Sequence, residues 1–181
     1  MDTATKNLEN DHLHILRLID VMEHMVQSSS PEVKHLEMAV SLIKNFADGF
    51  HHAKEENLLF PLMVKKGYST EQGPVAVMLS DHEQGRKFVR GMATAILGFK
   101  NGETASLSLV FENMKGYISL LRSHIHKENN ILFRMADSVF NEQDHQLLLE
   151  QFRKIENSNI CGGVLLDCVN QIDSLAAEYK V

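Results

Sequence analysis

A ten-residue pattern occurs twice in this chain. His51-His52-Ala53-Lys54-Glu55-Glu56-Asn57-Leu58-Leu59-Phe60 aligns without a gap on His124-Ile125-His126-Lys127-Glu128-Asn129-Asn130-Ile131-Leu132-Phe133, and the shared text is H-x-x-K-E-x-N-[LI]-L-F. A His and a Glu four residues apart lie about 6 Å apart along a helix and on nearly the same face. One helix can therefore offer an imidazole nitrogen and a carboxylate oxygen to a single buried metal centre. Two such helices, face to face, offer two of each, so the repeat points to a dinuclear metal site inside a helical bundle.

The elements that must position these groups can be read from the punctuation of the chain. The pattern predicts four long helices and two short ones. The first runs from about Thr5 to Gln27. The second follows Pro31 and runs to about Lys66, with a kink or early end expected at Pro61, whose ring removes a backbone donor. The third starts near Gly73-Pro74 and ends before Asn101-Gly102, and the fourth runs from about Thr104 to Ala136. Asn141 caps a short helix, Gln143 to Glu156. A turn at Cys161-Gly162-Gly163 precedes the last helix, Val164 to Tyr179. Short connections between long helices imply an all-α, antiparallel up-down-up-down four-helix bundle over 1–137, with 138–181 as a helical extension packed on it.

A ligand must lie on the apolar stripe of its helix. On the fourth helix the stripe reads Val110, Met114, Tyr117, Leu121, His124, Glu128, Ile131, Met135, and on the second Leu36, Val40, Ile43, Ala47, His51, Glu55, Leu58, Leu62. His12 falls among Leu8, Ile15 and Ile19, and His82 among Val75, Met78, Leu79 and Val89, with Gly85 one turn on, where a glycine permits close approach. The inward set is His12, His51, Glu55, His82, His124 and Glu128. In an up-down bundle, early positions on one helix meet late positions on the next, so all six can share one layer at one end of the bundle. A single inward histidine is more often a hydrogen-bonded core residue than a ligand. Six such groups in an apolar core would cost many kcal/mol without a compensating charge, which a dimetal centre supplies. His14, His24, His35, His52, His126 and His145 read as surface residues, and Glu56 and Glu83 as exposed or as supports for ligands.

Composition excludes other classes. The chain has 181 residues, 44% apolar, with three prolines, ten histidines and a formal charge of −6. It carries no basic stripe, so nucleic acid is not an expected partner. No run of 18 apolar residues predicts a membrane span, and Met1–Lys6 starts no signal-like segment. Two cysteines, Cys161 and Cys168, fit a cytoplasmic protein with reduced thiols, Cys168 as a small buried hydrophobe.

Over about residues 4 to 137 the chain resembles the hemerythrin-like, or HHE cation-binding, proteins. The likeness rests on Asp11-His12-x-x-Ile15, His51-x-x-x-Glu55 within HHAKEENLLFP, DHEQGR from Asp81 to Arg86, and His124-x-x-x-Glu128. It implies a non-haem di-iron centre, with both Glu bridging two irons, two His on each, and a shared oxo or hydroxo bridge. Ligand type alone leaves manganese or zinc open. Oxygen-carrying hemerythrins place two His four apart on the third helix, whereas here Arg86 and Met78 flank His82. Four His leave each iron an open position, which suits reaction more than storage of oxygen. The nearest resemblance is to the di-iron domain of iron-sulfur repair proteins, which respond to nitric oxide and oxidative stress. Those proteins usually add a cysteine-bearing N-terminal segment that is not found here.

The function expected is binding of, or reaction with, oxygen, peroxide or nitric oxide, in stress response or iron handling. An alternative is a di-iron sensor or buffer acting through a partner or as a homodimer. A ferritin-like carboxylate enzyme is the remote reading, from the E-x-x-H spacings Glu9/His12, Glu32/His35 and Glu142/His145. The walls of the site are expected to be mostly apolar (Ile15, Leu58, Leu79, Leu121), with Tyr117 too deep to donate a proton.

Overall fold

A computed structural model describes residues 3–28, 31–157 and 165–181. Helix α1 spans Ala4–Gln27, and the Thr3 hydroxyl caps it by accepting from Lys6 N–H. Helix α2 (Val33–Leu42) passes through π-helical turns over Ile43–His52 and Glu55–Leu59 into α3 (Phe60–Lys65). Helix α4 spans Gly73–Lys100. Helix α5 (Ser106–Lys127) continues through a π-helical turn, Glu128–Leu132, into α6 (Phe133–Val139). Helix α7 (Glu142–Glu156) starts in a reciprocal capping box between Asn141 and Asp144, and α8 spans Leu165–Tyr179. No strand occurs among the described residues. The fold is the expected antiparallel four-rod bundle, the rods being α1, α2–α3, α4 and α5–α6. Gly67 and Gly102 end rods at positive φ (103° and 94°), which glycine alone adopts cheaply. The expected turn at Cys161-Gly162-Gly163 lies outside the described residues.

Pro61 does not end the second rod. It is the second residue of α3, where the Phe60 N–H has already slipped to donate to Glu55 C=O, five residues back. The slip is repeated after Glu128, where Phe133 N–H donates to Glu128 C=O. An extra residue in a turn rotates every later side chain by about 100° relative to an unbroken α-helix. The stripes therefore change register beyond the two glutamates. Leu59 and Met63 are fully buried where Leu58 and Leu62 were expected, and Leu132 and Ala136 are buried where Ile131 and Met135 were expected; Ile131 is 50% exposed.

The buried apolar residues form two clusters. One runs from Ile15, Phe46, Phe50 and Val89 to Met114 and Ile125, and takes in Cys168, Ile172 and Leu175 of α8. The other gathers Leu8, Leu59, Phe60, Met63, Met78, Leu132 and Phe133 with Leu148 and Phe152 of α7. The layer of inward His and Glu lies between them in sequence on every rod, so it is sandwiched by apolar clusters and does not form an open end. Helices α4 and α5 touch backbone to side chain, since a Cβ at Gly91 or Gly116 would fall 2.2 Å from Asn113 or 2.4 Å from Phe88.

Three expectations on individual residues are corrected. Of the histidines assigned to the surface, His24 and His126 are exposed and His14 and His145 half-buried, but His35 and His52 are buried. His35 is held by the Tyr179 hydroxyl at 3.1 Å, which fastens α8 to α2. Cys168 is buried as expected but is disulfide-bonded, so reduced thiols no longer support a cytoplasmic setting; Cys161 lies outside the described residues. No described helix is long and apolar enough to cross a membrane.

The register shift has a direct test. Leu132→Ala, at a fully buried position, should cost about 2–4 kcal/mol in urea unfolding, and Ile131→Ala less than about 1 kcal/mol. Equal losses would restore the unshifted stripe.

Candidate metal centre

All six inward residues meet in one layer, each at most 2% exposed. His12 of α1 and His51 of the second rod bring their Nε2 atoms to 2.9 Å, and His82 of α4 and His124 of α5 bring theirs to 3.2 Å. Two nitrogens bound at about 2.1 Å and at right angles to one metal lie about 3 Å apart, with ring centres about 4.6 Å apart. The observed ring centres are 4.6 Å and 4.8 Å apart. Each pair thus converges as two adjacent ligands of one ion do.

The carboxylates stand between the pairs. Glu55 places Oε1 3.7 Å from His51 Nε2 and Oε2 3.4 Å from His82 Nε2. Glu128 Oε2 lies 3.2 Å from both His12 Nε2 and His124 Nε2. Both carboxylates are fully buried and none of their four oxygens has a hydrogen-bond partner. Such atoms need a cation, and the donor set of imidazole and carboxylate without thiolate fits one. Two overlapping groups could hold metal: His12, His51, Glu55 and Glu128, and His52, Glu55, His82 and His124.

Each inner nitrogen is aimed by a partner on the outer one. His12 Nδ1 faces Asn129 Oδ1 at 2.7 Å, His51 Nδ1 faces Asp11 Oδ2 at 3.1 Å, and His82 Nδ1 faces Glu56 Oε1 at 2.7 Å. Asp81 Oδ2 stands 3.4 Å from His124 Nδ1, too poorly aligned for a full hydrogen bond. An acceptor on Nδ1 fixes its proton there and leaves Nε2 with its lone pair for a metal. The two Asp are held in turn by the lysines of the repeat: Lys54, itself fully buried, at 2.7 Å from Asp11, and Lys127 at 2.5 Å from Asp81.

The sequence motifs become legible in this arrangement. Asp11-His12 on α1 and Asp81-His82 on α4 are counterparts, as the two ten-residue repeats are. In each repeat the His faces inward, the Lys holds the Asp that supports it, and the Glu lies between the halves. The residue after the Glu (Glu56 or Asn129) then supports the His of the opposite Asp-His pair, and the final Phe stacks on that ring: Phe60 on His82 at 5.9 Å and Phe133 on His12 at 5.6 Å. These supports escaped the stripe reading because they act across helices; the lysine common to both repeats was the available signal.

His52 was missed. The π-helical turn that ends at His52 turns it inward beside His51. Its ring stacks on His82 at 3.8 Å and 14°, and burial, with the neighbouring His82, pushes its pKa down to about 3. Arg86, where a fifth ligand was sought, binds Asp48 (2.9 Å through Nε) and Glu56 (2.7 Å) and so braces the supports of His52 and His82. A cavity of about 170 Å³ reaches His52, His82 and His124. Of the expected apolar walls only Leu121 lines it. Asp48, Asp81, Arg86 and Tyr117 line it too, so Tyr117 is within the cavity and not beyond it. Gly85 is not needed for close approach, since a Cβ there would make only ordinary contact, 3.6 Å from Tyr117.

The titration of the metal-free layer sets its pH dependence. Burial and the charge of Glu128 push Glu55 up to about 8. Burial opposes charge on His82, but Glu55 and Glu56 outweigh it and raise His82 to about 9. The two titrate together, since the charge of Glu55 is what raises His82, and the proton they share must leave before both can coordinate. Metal uptake at pH 7 should release about one proton, with affinity rising with pH, as read by calorimetry in buffers of different ionisation enthalpy. Uptake without proton release would contradict it. Glu55→Ala should lose metal, whereas Glu56→Ala, which removes only a support, should keep it with affinity lowered about 10- to 100-fold.

Comparison with known proteins agrees with this geometry. Iron-sulfur cluster repair protein YtfE of Yersinia pseudotuberculosis is 30% identical over 89 residues, 48% of this chain and 40% of that protein. YtfE of Yersinia pestis is 32% identical over 88 residues, again 48% and 40%. An uncharacterised protein of Mycobacterium tuberculosis is 20% identical over 162 residues, 86% of this chain and 62% of that one. The chain thus spans less than two thirds of the length of these relatives. No solved structure matches. The family model of the hemerythrin HHE cation-binding domain matches residues 3–136, and the chain belongs to that family.

Proposed function

We infer that this is a non-haem di-iron protein that binds small oxidants and diatomic ligands: oxygen, peroxide or nitric oxide. The observation that carries the reading is the pair of orphaned, fully buried carboxylates set between two converging imidazole pairs. In this reading His12 and His51 would hold one iron and His82 and His124 the other, with Glu55 and Glu128 supplying carboxylate oxygens to both. Bound iron supplies one-electron chemistry and an exchangeable coordination position. The chain's own residues do the rest. Asp11, Asn129, Glu56 and Asp81 orient the imidazoles, Phe60 and Phe133 exclude water from two of them, and the cavity admits a small ligand beside His82 and His124. The likeness to iron-sulfur cluster repair proteins supports a role in repair, iron handling or the response to nitric oxide and oxidative stress.

The sensor reading has one observation in its favour. Glu156 of α7 lies 3.3 Å from Lys54, which holds Asp11 against His51, so the C-terminal extension touches the chain of contacts that leads to the site. The ferritin-like reading has no such support: Glu9 is bound to Arg134 and Glu32 to Lys34, away from the layer.

Protein purified without added metal should contain two irons per chain, and Glu128→Ala should lose them. Reduced protein exposed to oxygen should oxidise and stay oxidised when the gas is removed, and it should bind nitric oxide. One metal or none, with the fold intact, would sink the dinuclear reading. Repeated return of the reduced spectrum on degassing would make the protein a carrier.

A further inference from the structure

Helix α7 lies beyond the matched domain, which ends at residue 136, yet it reaches the supports of the metal layer. The contact is Lys54. This side chain is fully buried, and three oxygens surround its ammonium: Asp11 Oδ2 at 2.7 Å, Asn7 Oδ1 at 2.8 Å and Glu156 Oε1 at 3.3 Å. An ammonium has three N–H groups, so its set of partners is complete. Asn7 closes the circuit by donating from Nδ2 to the same Glu156 oxygen at 3.1 Å. The rings of Phe50 and Phe152 face the charge, with centres 4.2 Å and 5.2 Å from Nζ, and Phe152 is a fully buried residue of α7.

The other half of the centre shows the same support without α7. Lys127 is the counterpart of Lys54, and Asp81 is its single ion-pair partner among the described residues, at 2.5 Å. Its side chain is 32% exposed, so solvent reaches its remaining N–H groups. The two aspartates differ accordingly. Asp11 Oδ2 is hydrogen-bonded to His51 Nδ1 at 3.1 Å, whereas Asp81 Oδ2 stands 3.4 Å from His124 Nδ1, which has no hydrogen-bond partner. Each of these oxygens serves both a lysine and a histidine, so the place of the lysine decides whether the carboxylate also lines up with the ring. The lysine held by three groups keeps its aspartate in line, and the lysine held by one does not.

We propose that α7 is part of the metal centre: Glu156, with Asn7, is a positioning residue that holds Lys54, keeps Asp11 aligned on His51, and makes the His12/His51 position the tighter of the two for a divalent cation. The proposal rests on the dinuclear reading and adds to it an order of filling and a role for the chain beyond the family domain. An aligned carboxylate on Nδ1 orients the imidazole and strengthens Nε2 as a donor. Glu156 also offsets the charge of Lys54, which would otherwise repel a nearby cation. His12 is aligned by Asn129 at 2.7 Å, so both rings of this position are set in advance. The opposite position has one such ring, His82 on Glu56.

The test is an anaerobic titration of the full metal-free chain with cobalt(II), whose visible spectrum reports each binding step. Parent protein should take up two ions in two steps of unequal affinity. Glu156→Gln removes the charge and keeps the shape. It should weaken the tighter step about tenfold and the weaker step less than about twofold. Asn7→Ser, which removes the second group that holds Lys54, should repeat the pattern. Glu150→Gln, at an exposed carboxylate of the same helix, should change neither step. Urea unfolding of the metal-free forms separates positioning from stability, because a merely structural role would lower the midpoint and weaken both steps alike. Equal affinities in the parent protein, or equal weakening of both steps or no change in Glu156→Gln, would each overturn the assignment. Parent protein that binds one cobalt or none would instead defeat the dinuclear reading itself.

Discussion

Two glutamates with four unpartnered oxygens, locked between four imidazoles in a dry core, are the constraint on which the rest of the molecule depends. Leaving such groups uncompensated would cost more than a bundle of this size can spare, since net stabilities are about 5–15 kcal/mol. The surrounding structure is organised to make the cost recoverable by a cation. Apolar clusters above and below keep water out, and three of the four imidazoles have an outer hydrogen-bond partner that turns the lone pair inward, with Asp81 beside the fourth. The buried Lys54, held among Asp11, Asn7 and Glu156 and over the ring of Phe50, shows how far the compensation of charge extends from the centre.

The same need explains the π-helical turns. In an unbroken α-helix, a buried Glu would be followed along its own face by residues three and four positions on. In both repeats the backbone slips by one residue at the glutamate, so the residues five and eight positions on, Phe60 and Met63 in one rod and Phe133 and Ala136 in the other, join Leu59 and Leu132 in the apolar cluster below. The slip lets one rod present a polar layer and then an apolar one without widening the bundle. It also lets Pro61 sit inside a continuous rod.

Near-symmetry about the centre is a feature of chemistry as well as of sequence. Each half is supported by residues of the other, because Glu56 and Phe60 serve His82 while Asn129 and Phe133 serve His12. Neither half can be built alone, which couples formation of the site to closure of the whole bundle. Departures from symmetry then mark where the halves differ in chemistry, and they gather on the side with the cavity: His52, Asp48, Arg86 and Glu56.

What the sequence by itself determined is the set of residues that repeat and alternate. Helix starts and stops followed from Pro31, Gly73-Pro74, Asn101-Gly102 and Asn141, and the inward placement of His12, His51, Glu55, His82, His124 and Glu128 followed from helical spacing, because helical period is a local property. Tertiary structure decided everything that required another helix or a break in the period. The stripes beyond Glu55 and Glu128 were displaced because a π-helical turn leaves no mark in an apolar pattern. His52 was assigned to the surface because its polar neighbours Asp48 and Glu56 suggested solvent, whereas they are held by Arg86 from α4. Its position on the cavity, like the support of His51 by Asp11 and Lys54, depends on which helices face each other across the core, and no local spacing encodes that.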